Sequence, residues 1–155
     1  LRPIDDWLEE YGASHRHPLN EWMHRICVPL IAISLIALLW ALPVPRSIER
    51  GWVHFNWGLA SVAASLLYYT ALSLRLALGM AILAGAVIAL ASWSGYRPES
   101  GWPLALVVFV AAWIGQAVGH AIEGRRPSFF KDLQFLLIGP LWLLAAAYRA
   151  LGIRY

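Results

Sequence analysis

Three of the chain's five histidines, His15, His17 and His24, fall within one short stretch, SHRHPLNEWMH, at residues 14–24. A fourth, His120, lies about a hundred positions on, in IGQAVGHAIEGRRP. Asn20 and His24 are spaced i, i+4, so a helix would put them on one face. Gln116 and His120 repeat that spacing, and Glu123 follows His120 on the same face. Imidazole nitrogen suits zinc, copper, iron and nickel, and histidines joined by a carboxylate suit non-haem Fe(II) oxygen chemistry. Asn20, Gln116 and Tyr11 are the groups that could hold the second ring nitrogen of a ligating histidine and fix its orientation. Taken singly, each histidine is better explained by hydrogen bonds to headgroups, water or backbone carbonyls; it is the convergence of His15, His24 and His120 that raises the metal reading. Arg125 and Arg126 follow at once; they suit either a basic membrane anchor or a carboxylate-binding fork. The single cysteine, Cys27, rules out an internal disulfide and a thiolate zinc cage.

The elements that must position these groups are apolar helices. Sixty per cent of the residues are apolar and only fourteen per cent charged, well below the roughly 25% charged share of soluble domains. Residues 26–45, 51–74, 76–96 and 100–122 carry no Asp, Glu, Lys or Arg. At about 1.5 Å per residue, about 20 residues cross a hydrocarbon core of roughly 30 Å. The expectation is an all-α, polytopic integral membrane bundle of four to five transmembrane helices in a single domain, 1–155. The spans are 26–42, about 52–74, about 76–94 and about 102–122, with a shorter fifth over 133–148 and a turn around Arg75. Before them, Ile4, Trp7, Leu8 and Tyr11 recur at i, i+3, i+4, i+7 against Asp5, Asp6, Glu9 and Glu10. This predicts a short amphipathic helix, ended at Gly12 and lying on the bilayer or packed on its neighbours. Pro18 then breaks the chain, and Asn20 is placed to cap the next helix.

Four crossings bring the end of the fourth span back to the side of the N-terminus, so His15, His24 and His120 share one side. That side carries Arg2, Arg16, Arg25, Arg75, Arg125, Arg126 and Lys131, and the positive-inside rule makes it cytoplasmic. Trp40, Trp52, Trp57, Trp93 and Trp102 fall near span ends, where indole rings favour the headgroup layer. A net charge of +3 from dispersed arginines gives no support for nucleic-acid binding.

The residues resemble the 2-hydroxy fatty acid dioxygenases, a family with a fungal member in phytosphingosine breakdown and many bacterial relatives. Its first motif, H-x-x-x-x-N-x-x-x-H before a proline-containing span, is matched by His15, Asn20, His24 and Pro29. Its second, Q-x-x-G-H followed by Glu and a basic-Pro segment, is matched by Gln116, Gly119, His120, Glu123, Arg125, Arg126 and Pro127. LLYYTALS and KDLQFLLIGPLWLL are also similar to the bacterial branch. The family usually has Asn where this chain has His17, and its fungal form places the Glu four residues after the histidine rather than three.

The resemblance implies an Fe2+ enzyme that uses O2 to shorten a 2-hydroxy fatty acid by its carboxyl carbon. His15, His24 and His120 would be the metal ligands, with Glu123, Asn20, Gln116 and His17 as further ligands or as groups supporting them. Arg125 and Arg126 would meet the substrate carboxylate. The setting would be a bacterial inner membrane, or the endoplasmic reticulum of a eukaryote, and a homo-oligomer is compatible with the chain. Two other readings stay open: a haem- or quinone-binding electron carrier, and a non-catalytic transport or structural membrane protein.

Overall fold

The computed structural model describes residues 3–13, 17–45, 55–124 and 129–155, with side chains from 135 onward in the last stretch. These form six helices: α1 (Ile4–Ala13), α2 (Pro18–Ala41), α3 (Trp57–Leu72), α4 (Leu74–Trp93), α5 (Pro98–Glu123) and α6 (Phe129–Ala150). No strand occurs among the described residues.

Three helices, α2, α4 and α5, are long and apolar enough to cross a bilayer. α3 has 16 residues and is shorter than the span expected from residue 52. Its start is set by chemistry that hydropathy does not register. Asn56, in extended backbone, accepts from the Leu59 N–H (3.1 Å) and caps the helix there. α6 has 22 residues, and Phe135–Ala150 within it is apolar.

The expected turn at Arg75 falls two residues earlier. Ser73 alone separates α3 from α4, with φ −159° and ψ 119°, and its Oγ accepts from the Leu76 N–H (3.3 Å). Arg75 therefore sits inside α4, and its guanidinium donates to the Arg154 carbonyl (3.0 Å). α1 also runs past the expected stop at Gly12. A Cβ at Gly12 would lie 3.3 Å from the Trp142 indole nitrogen, so this glycine serves close packing on α6 rather than termination.

Two packed regions hold the helices. In one, α2 and α5 run antiparallel with small residues between them. Ala105, Ala112 and Gly119 are the buried residues of α5, spaced seven apart. They face a buried stripe of α2 that includes His24, Cys27, Ile31 and Ser34. Such small-residue seams let membrane helices approach closely. A Cβ at Gly115 would lie 2.7 Å from Cys27 Sγ, and one at Gly119 would collide with Asn20 Oδ1.

In the other region, Leu8 and Tyr11 of α1 join Tyr69, Leu76, Ile138, Leu141 and Trp142. The Tyr69 hydroxyl closes it by donating to the Leu137 carbonyl (2.9 Å). The apolar side of α1 is thus packed on the other helices. Many large aliphatic side chains of α4 and α5 face outward, among them Ile82, Leu83, Leu104, Val107 and Ile114. An apolar surface of this extent is what a bilayer-facing helix presents.

Candidate metal centre

The site forms where the first turns of α2 meet the last turn of α5. Pro18 stands at the first helical position, where its missing N–H costs nothing, and the residue capping the helix is His17 rather than Asn20. The His17 Nδ1 accepts from the Leu19 N–H (3.3 Å). That releases the Asn20 side chain, which lies wholly buried in the α2–α5 seam. Its Nδ2 donates to Glu123 Oε2 (2.9 Å), and the His17 backbone N–H donates to the same oxygen (3.0 Å). A carboxylate from the end of α5 thereby meets the N-terminus of α2, where the helix dipole favours negative charge.

One turn further along α2, His24 is 1% exposed. Its Nδ1 lies 2.9 Å from the Asn20 main-chain carbonyl. A carbonyl only accepts, so Nδ1 carries the proton, and in the neutral ring Nε2 is the lone-pair nitrogen. The contact between Asn20 and the His24 ring nitrogen runs through the Asn20 backbone rather than its amide. The His120 ring, half-buried, stands 4.8 Å from that of His24 between centroids, at 76° between planes. Tyr11 borders the site from α1, its ring 6.5 Å from that of His24 and nearly perpendicular to it.

The structure thus brings His24, His120, Asn20, Glu123 and the His17 backbone together from two helices. Gln116 is half-buried one turn before His120. His17 itself is exposed, with Nδ1 engaged in the cap. His15, Arg125 and Arg126 lie outside the described residues. Among the described residues, no group of three or more His, Cys, Asp or Glu side chains is disposed to hold a metal ion. The described part contributes two imidazoles and one nearby carboxylate.

Imidazole and carboxylate donors of this kind are compatible with divalent iron, as with zinc, copper or nickel. They do not suit the all-oxygen shell of magnesium or calcium, or a thiolate zinc cage. Two roles are not announced by the motif spacing. Gly119, a position of the second motif, makes room for the Asn20 side chain, and the heptad of small residues on α5 signals that. His17 acts as a cap through backbone geometry, which its residue type does not announce.

No curated protein and no solved structure matches the chain. A family model described as 2-hydroxy-palmitic acid dioxygenase Mpo1-like matches residues 1–151 of the 155. With the match running almost end to end, across both histidine-bearing segments and all six helices, the chain belongs to the Mpo1-like family.

Proposed function

We propose that the chain is a membrane-embedded, Fe(II)-dependent dioxygenase that converts a 2-hydroxy fatty acid into the acid one carbon shorter. The observation that carries this reading is the pairing of buried His24 with half-buried His120, with rings 4.8 Å apart and Nδ1 of His24 set by the Asn20 carbonyl. The family's description as 2-hydroxy-palmitic acid dioxygenases supports the substrate class.

In this reading His15, His24 and His120 hold the iron. Asn20 holds His24 in one tautomer. Glu123 fastens α5 to α2, so that the two imidazoles keep their separation. Arg125 and Arg126 receive the substrate carboxylate, the guanidinium fork matching its two oxygens, and the acyl chain stays in apolar surroundings. Bound iron would supply Lewis acidity and a means of activating dioxygen.

The overall reaction balances without an external reductant. One hydroxy acid and one O2 give the shorter acid, carbon dioxide and water. The C1–C2 bond breaks, C2 is oxidised to the new carboxyl carbon, and dioxygen takes up all four electrons. Burial around His24 keeps bulk water from the reacting carbon.

The same geometry disfavours the haem alternative. Two imidazoles binding a haem iron face each other across a macrocycle, and rings 4.8 Å apart, edge to face, leave no space for one.

The molecular setting completes the proposal. α3 and α6 join the three long helices as crossings, and the 16-residue α3 is short enough to need local thinning of the bilayer. The whole chain forms one domain, and the metal centre lies on the cytoplasmic side. The test is elemental analysis of anaerobically purified protein, followed by mass spectrometry after incubation with 2-hydroxypalmitic acid and O2. Wild-type protein should hold iron and release the shorter acid. His24→Ala and His120→Ala should lose both, and iron retained at wild-type stoichiometry in the double variant would refute the ligand assignment.

A further inference from the structure

Away from the histidines, α2, α4 and α5 enclose an open cleft. α4 causes it: its buried residues, Leu76, Ala77 and Gly79, all lie near its start, and its second half leaves the packed core. The space between that half, α2 and the first half of α5 measures about 640 Å³, within the range of roughly 300–1,000 Å³ usual for small-ligand sites. Leu30, Ile33 and Ala37 of α2, Val87 and Ala91 of α4, and Val108 of α5 line it.

The lining contains no charged residue, and its serines add little polarity. Ser34 Oγ donates back to the Leu30 carbonyl (2.5 Å), Ser92 Oγ to Ile88 (2.9 Å) and Ser94 Oγ to Ala91 (2.9 Å). Every serine of the cleft is turned onto its own helix, leaving hydrocarbon facing inward. Trp40 and Tyr96 stand at the far end.

The cleft and the metal centre share two walls. Gly119 faces Asn20 and Gly115 faces Cys27, so moving forward along α2 and backward along α5 leads from the histidines to the cleft. Along α2, Leu30 lies about 9 Å beyond His24 and Trp40 about 24 Å beyond it, at about 1.5 Å per residue. An extended palmitoyl-length chain falls short of the Trp40 backbone by about one helical turn, roughly 5 Å, and a helical side chain leans back over the turn before it, so the chain terminus comes up to the Trp40 ring.

We infer that this cleft is the acyl-chain site of the 2-hydroxy acid, with Trp40 and Tyr96 as the end wall that limits chain length. The inference rests on the dioxygenase reading for the head group at His24 and His120. The apolar occupant is argued from the cleft itself.

The test uses the full chain in phospholipid nanodiscs and a 2-hydroxypalmitic acid probe with a diazirine at its chain terminus. Light should attach the probe to peptides holding Trp40 or Tyr96. Excess 2-hydroxypalmitic acid should cut that labelling about tenfold, while added phospholipid should not. Separately, Ala37→Phe should raise KM for 2-hydroxypalmitic acid about tenfold and spare 2-hydroxylauric acid.

Labelling displaced equally by phospholipid would make the cleft an ordinary lipid groove and overturn the inference. So would cross-links through it between two copies of the chain, or labelling confined to α1 and α6. An active enzyme that leaves the cleft unlabelled overturns this inference and spares the proposed reaction. Competed labelling in a protein that shortens no 2-hydroxy acid upholds the cleft and overturns the reaction.

Discussion

Glu123 receives the Asn20 amide and the His17 N–H on one oxygen, and this double use separates two roles that sequence alone leaves merged. If Glu123 only fastens α5 to α2, Glu123→Gln keeps an acceptor and should retain most stability and iron. Glu123→Ala should cost about 1–3 kcal/mol, because two donors lose their acceptor. Thermal unfolding in detergent, with iron content measured on the same samples, distinguishes the roles. Loss of iron in Glu123→Gln at unchanged stability would make Glu123 a ligand. A second residue, Tyr96, has a buried hydroxyl with no hydrogen-bond partner among the described residues. Its ring lies against Gly101, where a Cβ would come within 2.7 Å of Tyr96 Cζ. Tyr96→Phe keeps that contact and removes the stranded polar group, so it should be neutral or stabilise by about 1 kcal/mol in the same assay. At this scale the i, i+4 spacings made Asn20, His24 and His120 legible, because a helix fixes which side chains share a face. The capping role of His17 was not legible. It depends on Pro18 starting the helix and on extended backbone at residue 17 (φ −75°, ψ 126°).

Among the elements, the α2–α5 pair supports the site because its seam is built from small residues. Gly119→Ala places a methyl against Asn20 Oδ1, with no room for it. It should destabilise the protein by about 1–3 kcal/mol and reduce iron occupancy, read by unfolding and elemental analysis. Gly124→Ala is a control with open space around its Cβ but a φ of 72°; its cost should come from backbone strain, about 1 kcal/mol, with iron retained. Charge-free runs revealed α2, α4 and α5 well, since length and apolarity are what a bilayer selects. They misplaced the start of α3 and the α3–α4 break, because hydropathy is continuous across Asn56 and Ser73. The capping oxygens of those two residues decide the boundaries.

Across the whole molecule, the antiparallel α2 and α5 imply that the start of one and the start of the other lie on opposite membrane faces. In a Cys27→Ser background, Leu19→Cys and Ser100→Cys should react with a membrane-impermeant maleimide from opposite sides of sealed vesicles; both native side chains are exposed. Labelling from one side only would mean that α2 and α5 do not both cross. His24 and His120 meet at one end of the α2–α5 pair, as an even number of crossings between them would require. No such count gives the cleft, because it arises from the divergence of α4 and leaves no mark in the order of apolar residues.

The Asn20–Glu123 contact joins residues 103 positions apart. A ribosome adding about 5–20 residues per second needs on the order of 5–20 s to travel from one to the other. Throughout that interval the nascent chain displays His24 without His120. If the pair holds iron as proposed, the capacity to capture it arrives late in synthesis, after the surrounding helices are already available to enclose it.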